Sequence, residues 1–195
     1  GVFGVILSLI KLVVFHVANI FVEVMRGLPM LTTLVIFAFA LIPAIKAYMS
    51  ESYGIEITFR SSSIETAIIV LALAYGAFMS ETFRAGIQAI EKGQLEASRA
   101  LGLNYLKTMR FVVLPQAIRR ILPPLGNDFV SMIKDSALVS VLGLRDITQV
   151  AKVSSGSSFR YLETYLTAAV LYLTLTIVLS LVVKYIERRM KTVAR

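Results

Sequence analysis

The chain contains no cysteine and only one histidine, His16, in 195 residues. Without cysteine there is no disulfide framework, no thiol nucleophile and no thiolate metal site. With one histidine, a His-based metal centre or a catalytic triad lacks its parts, so neither a metal site nor a catalytic residue is expected. Charge is scarce as well: charged residues make up 16% of the chain, hydrophobic ones 57%, and the mean hydropathy is +0.78. A soluble domain of this length needs more charge on its surface. The composition therefore points to one polytopic membrane domain, residues 1–195, built of apolar helices. The net charge of +8 fits cytoplasmic loops rich in Lys and Arg, and no nucleic-acid partner is expected.

A bilayer span takes about 20 largely apolar residues. "TYLTAAVLYLTLTIVLSLVV" (164–183) has no charge at all, Gly27 to Ile45 is uncharged between Arg26 and Lys46, and Ile64 to Ser80 carries only Glu65. Phe111 to Ile133 is broken by Pro115, Arg119, Arg120, Pro123, Pro124 and Asp128. Such a segment spans only where neighbouring helices satisfy its freed backbone groups. The expected spans are 28–49, 64–82, 113–133 and 162–187. Residues 1–10 are read as the end of a first span whose front half lies before this chain, which gives about five. Residues 12–26 then form an interfacial amphipathic helix with His16, Asn19, Glu23 and Arg26 on its polar side; His16 is an interfacial side chain rather than a ligand.

Basic residues set the orientation. Arg84, Lys92, Arg99, Lys107, Arg110, Arg119 and Arg120 lie in or beside the 93–124 loop, and Lys184, Arg188, Arg189, Lys191 and Arg195 lie in the tail. With Lys11 and Arg26 these are fourteen of the twenty Lys and Arg residues, which puts the loop and the C-terminus in the cytoplasm. "SESYGIEITFRSSS" (50–63) and "SSGSS" (154–158) then lie outside.

The cytoplasmic loop, 91–112, holds a helix from Glu91 to Leu101 stopped by Gly102, and a second that starts at Asn104 and runs to Pro115. The first presents the small residues Ala97, Ser98 and Ala100, with Leu95 and Leu101 as apolar contacts; Glu96 can pair with Arg99. A rigid helix with small side chains, tied to two spans, suits a coupler to a soluble partner.

"GQLEASRALG" followed at a fixed distance by "LPQAIRRILPPLGNDF" resembles the EAA loop of membrane subunits of binding-protein-dependent ATP-binding-cassette importers. "FVEVMRGLPML", "GAFMSETFRAGI" and "SMIKDSALVSVLGLRDITQVA" are similar to the polar-amino-acid branch. Ser98 stands where the family has the second alanine of its triplet, and Leu28 where a small polar residue is commoner. The resemblance implies an all-α, type I importer permease fold. It implies that Glu96, Ala97, Ser98, Ala100, Leu101 and Gly102 form a coupling helix that docks on a cytoplasmic ATPase dimer. ATP and magnesium would sit on that ATPase and no cofactor on this chain. A second permease subunit, identical or homologous, and an extracytoplasmic binding protein that delivers an amino acid complete the implied assembly, in a bacterial or archaeal cytoplasmic membrane.

Ionisable residues within spans are costly and mark pathways. Asp128, beside Asn127 in "PPLGND", is the candidate partner for a substrate ammonium, and the broken backbone there suits a midplane site. The alternatives for Asp128 are an ion pair with Arg119 or Lys134, or a cap. Tyr75 and Met79, one turn apart, fit a packing role first and can otherwise wall such a pocket. Glu81 and Arg84 are spaced for an ion pair, with a gate as the other reading. Lys134 and Asp135 can meet the binding protein or close a re-entrant turn. Two rivals remain: an intramembrane enzyme, for which paired catalytic groups are missing, and a partner-gated channel or transporter not driven by ATP.

Overall fold

The computed structural model describes residues 2–58 and 60–192. Gly1, Phe59 of the polar stretch 50–63 and Arg195 of the basic tail lie outside the described residues. The described chain is helical with no strand among the described residues, and it divides into two compact units, Gly1–Phe78 and Met79–Arg195.

In the first unit, α1 (Val2–Gly27) is a single helix. The division expected at Lys11 is absent, and the segment read as interfacial belongs to Ser8–Gly27, which is long and apolar enough to cross a membrane. Lysine is a good helix former, and no proline or glycine interrupts the run between Lys11 and Gly27. His16 donates from Nδ1 to the Leu12 carbonyl at 2.8 Å, one turn back in the same helix. Next come α2 (Met30–Ile36), a wide π turn (Phe37–Leu41) and α3 (Ile42–Tyr53), which together form an apolar stretch of spanning length. α4 (Ile64–Gln88) is likewise long and apolar enough to span and runs from one unit into the other. Met25, Ala74 and Ala77 form a buried cluster, packed by Val22, Met30 and Phe37.

The second unit holds α5 (Lys92–Ala100), α6 (Tyr105–Thr108), a π turn (Met109–Val113), α7 (Leu114–Asp135), a 3-10 segment (Ser136–Leu142), α8 (Ile147–Ser158) and α9 (Tyr161–Thr192). Two expectations are corrected here. The second loop helix does not stop at Pro115, because the π turn carries α6 directly into α7. Nor is the backbone broken at Pro123 and Pro124, since both lie inside α7. Each proline deletes one N–H of the helix ladder, but α7 is packed along the last turns of α4 and along α9, and that packing holds it helical. At 22 residues α7 is long enough to span, about 33 Å at 1.5 Å per residue, although its polar residues keep it out of the purely apolar class.

The stretch 154–158 belongs to α8, with Ser155 buried. Asp146 caps that helix, accepting from the amides of Thr148 (3.1 Å) and Gln149 (2.8 Å). The Tyr172 hydroxyl of α9 donates to the same carboxylate at 3.0 Å, which ties α8 to α9. α9 is the most apolar of the spanning-length helices, and none of its most apolar window is buried. A helix that faces hydrocarbon needs no polar cover.

Candidate functional site

α5 leaves the end of α4 within four residues and returns the chain to α7 through α6. Lys, Gln, Leu, Glu and Ala favour its helix, and the turn opens with the Gln94 amide donating to the Glu91 carbonyl at 3.0 Å. It closes in a Schellman motif: the Leu103 amide bonds the Ser98 carbonyl (3.1 Å) and the Gly102 amide bonds the Arg99 carbonyl (2.9 Å). Gly102 adopts φ +72, and a Cβ built there would meet nothing within 4 Å. The glycine is required by the backbone angle and not by space.

Asn104 caps α6, accepting from the Lys107 amide at 3.0 Å. Replacing it with alanine should cost about 1 kcal/mol of local stability, seen as faster amide hydrogen exchange over 105–108 while exchange elsewhere is unchanged.

The faces of α5 differ from expectation at one position. Glu96, Ala97, Ala100 and Gly102 are exposed and Leu101 is 80% exposed, whereas Ser98 is 2% exposed. It lies one turn beyond Leu95, which packs on the buried cluster Ile90, Val113, Ala117 and Ile121. The Ser98 hydroxyl therefore points into the unit and offers no surface to a partner. Among the described residues Glu96 forms no ion pair with Arg99.

Higher along the contact between α4 and α7, the Thr82 hydroxyl donates to Asp128 Oδ2 at 3.4 Å. Asp128 is half-buried and Asn127 exposed, and among the described residues neither Arg119 nor Lys134 pairs with the carboxylate. Gly126 lets α9 approach closely, since a Cβ there would stand 2.1 Å from Val183 Cγ1. Glu81 and Arg84 form the expected ion pair, at 3.5 Å. Met79 is half-buried. Tyr75 belongs to the first unit, where it is 5% exposed with its ring 6.0 Å from that of Phe78. Thr82 is not singled out by the sequence, because it sits in the polar run Ser80, Glu81, Thr82 and Arg84 at the end of α4. An aspartate accepting one long hydrogen bond keeps most of its acceptor capacity for a cationic group.

Residues 1–192 match the family of binding-protein-dependent transport system inner membrane components. The chain is 38% identical over 176 residues to the glutamine transport system permease protein GlnP of Escherichia coli (strain K12), covering 90% of this chain and 75% of that protein. It is 34% identical over 195 residues to the arginine transport system permease protein ArtQ of Bacillus subtilis (strain 168), covering 98% and 84%. Among solved structures, a crystal structure of an amino acid ABC transporter with histidines is similar at TM-score 0.75 and 38% identity, over 89% of this chain and 75% of that one.

Proposed function

Because the chain belongs to the family of binding-protein-dependent transport system inner membrane components, we propose that it forms the membrane pathway for polar amino acids in an ATP-driven importer. α5 is the element on which a cytoplasmic ATPase subunit acts. The observation that carries this reading is the exposed outer side of α5, where the small Ala97 and Ala100 lie beside Glu96, ending in the left-handed turn at Gly102. A short helix with that face, fixed at both ends to long helices, has little role in lipid and suits docking against a folded protein.

In this reading the ATPase dimer holds the nucleotide and magnesium, and this chain contributes no catalytic group and binds no cofactor. A second permease subunit, identical or homologous, completes the pathway, and an extracytoplasmic binding protein supplies the substrate. The chain is a multi-pass protein of a bacterial or archaeal cytoplasmic membrane with its C-terminus inside. The named relatives carry glutamine and arginine transport in their names, so a substrate ammonium is the natural partner of Asp128, with Asn127 adjacent on α7, Thr82 bonded to it from α4 and Met79 three residues before Thr82. Glu81, paired with Arg84, steadies the end of α4.

The test is co-purification with candidate ATPase and binding-protein subunits, followed by ATPase assays in proteoliposomes over a panel of amino acids. Hydrolysis stimulated by the loaded binding protein, with uptake, is the expected result; uptake independent of ATP would overturn it. The absence of cysteine allows a clean topology check. A cysteine introduced by Glu96→Cys should react with a membrane-impermeant thiol reagent in inside-out vesicles only, and reaction in intact cells would sink the assignment.

A further inference from the structure

Ser98 and Thr108 are both buried, at 2% and 6% exposure, and their hydroxyl oxygens lie 3.2 Å apart. The Ser98 hydroxyl already donates to the Leu95 carbonyl at 2.8 Å. Either hydroxyl can donate across the pair; the arrangement that also satisfies the Leu95 carbonyl has Thr108 donating to Ser98 Oγ. This bond joins α5 to α6, which runs without interruption into α7.

A second polar bond closes the other side of the joint: Arg120 of α7 donates from Nη1 to the Ala89 carbonyl, just past the end of α4. A guanidinium suits that position, because the last carbonyls of a helix lack partners and carry partial negative charge. A cavity of 350 Å³ lies along the inner side of α5, lined by Leu95, Arg99, Leu103, Tyr105 and Thr108 among others. Beside that pocket, the hydroxyl pair supplies a directional contact between α5 and α6.

We propose that the Ser98–Thr108 hydroxyl pair is a positioning device that holds α5 rigid with α7, so that a push on α5 displaces α7 instead of being absorbed in the cavity. Both residues are positioning residues: neither faces the surface that a partner would touch. The proposal rests on the reading of α5 as the ATPase-facing element.

The test compares Thr108→Val, which keeps the volume and removes the donor, with Thr108→Ser, which keeps the donor. Two quantities are measured: amide hydrogen exchange of 92–101 in the purified chain, and amino acid taken up per ATP hydrolysed by the full complex in proteoliposomes. In Thr108→Val, exchange should rise about tenfold, as loss of one buried hydrogen bond implies, and uptake per ATP should fall about fivefold while hydrolysis continues. Thr108→Ser should restore both. Ser98→Ala, which removes the acceptor without adding volume, should reproduce the rise in exchange. Wild-type exchange in Thr108→Val, or raised exchange with an unchanged uptake ratio, would overturn the proposal. Exchange needs no ATPase: a wild-type complex that fails to couple uptake to hydrolysis sinks the importer reading, while the contrast between Thr108→Val and Thr108→Ser would still support the clamp.

Discussion

Gly102→Val should leave the subunit folded and assembled but cut uptake per ATP hydrolysed by about tenfold. At φ +72 an L-residue meets its own carbonyl, at a cost of about 1–2 kcal/mol, and β-branching adds to it. Nothing else obstructs the side chain, because a Cβ there has open space for 4 Å around. The penalty therefore falls on the turn itself, and the chain relieves it by abandoning the Schellman geometry that orients Leu101 and the end of α5. A graded series follows from the same physics. Asparagine, which tolerates the left-handed region, should be mild, alanine intermediate and valine worst. Reconstituted vesicles in which valine transports as well as glycine would remove the turn from the coupling mechanism.

The second large effect is expected at Asp128. Asp128→Asn conserves shape and still accepts the Thr82 bond, so the protein should be recovered in normal amounts. What it loses is a negative charge for an incoming ammonium or cationic side chain. Hydrogen bonds to charged groups contribute about 1.5–3 kcal/mol, so the KM for uptake should rise by about one to two orders of magnitude. Uptake kinetics identical to wild type would take Asp128 off the pathway; failure to assemble would make it a structural residue.

Features carried by local chemistry could be read in the sequence, and features carried by distant neighbours could not. The long charge-free runs announced the spanning-length helices, because only packing or lipid tolerates such surfaces. Helix α5 was announced by its formers and by Gly102. Ser98 was misplaced because small polar residues usually face water. The spacing from Leu95 already put it on the inner face, but its partner Thr108 arrives from another element. Pro123–Pro124 reads locally as a break, and tertiary packing overrides it. The polar serines of α8 hide a helix whose start is signalled by Asp146, which accepts from the amides of Thr148 and Gln149. At the candidate pathway Asp128 stood out by charge, whereas Thr82 acquires meaning only once α4 and α7 lie side by side. The π turns left no readable signal, since their extra residue has no characteristic type.

The wide turn at Met109–Val113 has a consequence for chain length. In an α-helix each residue advances the azimuth by about 100°, so the slack residue stored there fixes the angular phase between the hydroxyl of Thr108 and the carboxylate of Asp128. Deleting a single residue from the segment would turn one of them away from its neighbour even if every remaining side chain kept its identity. The count of residues between 108 and 128 is thus as tightly constrained as their chemistry.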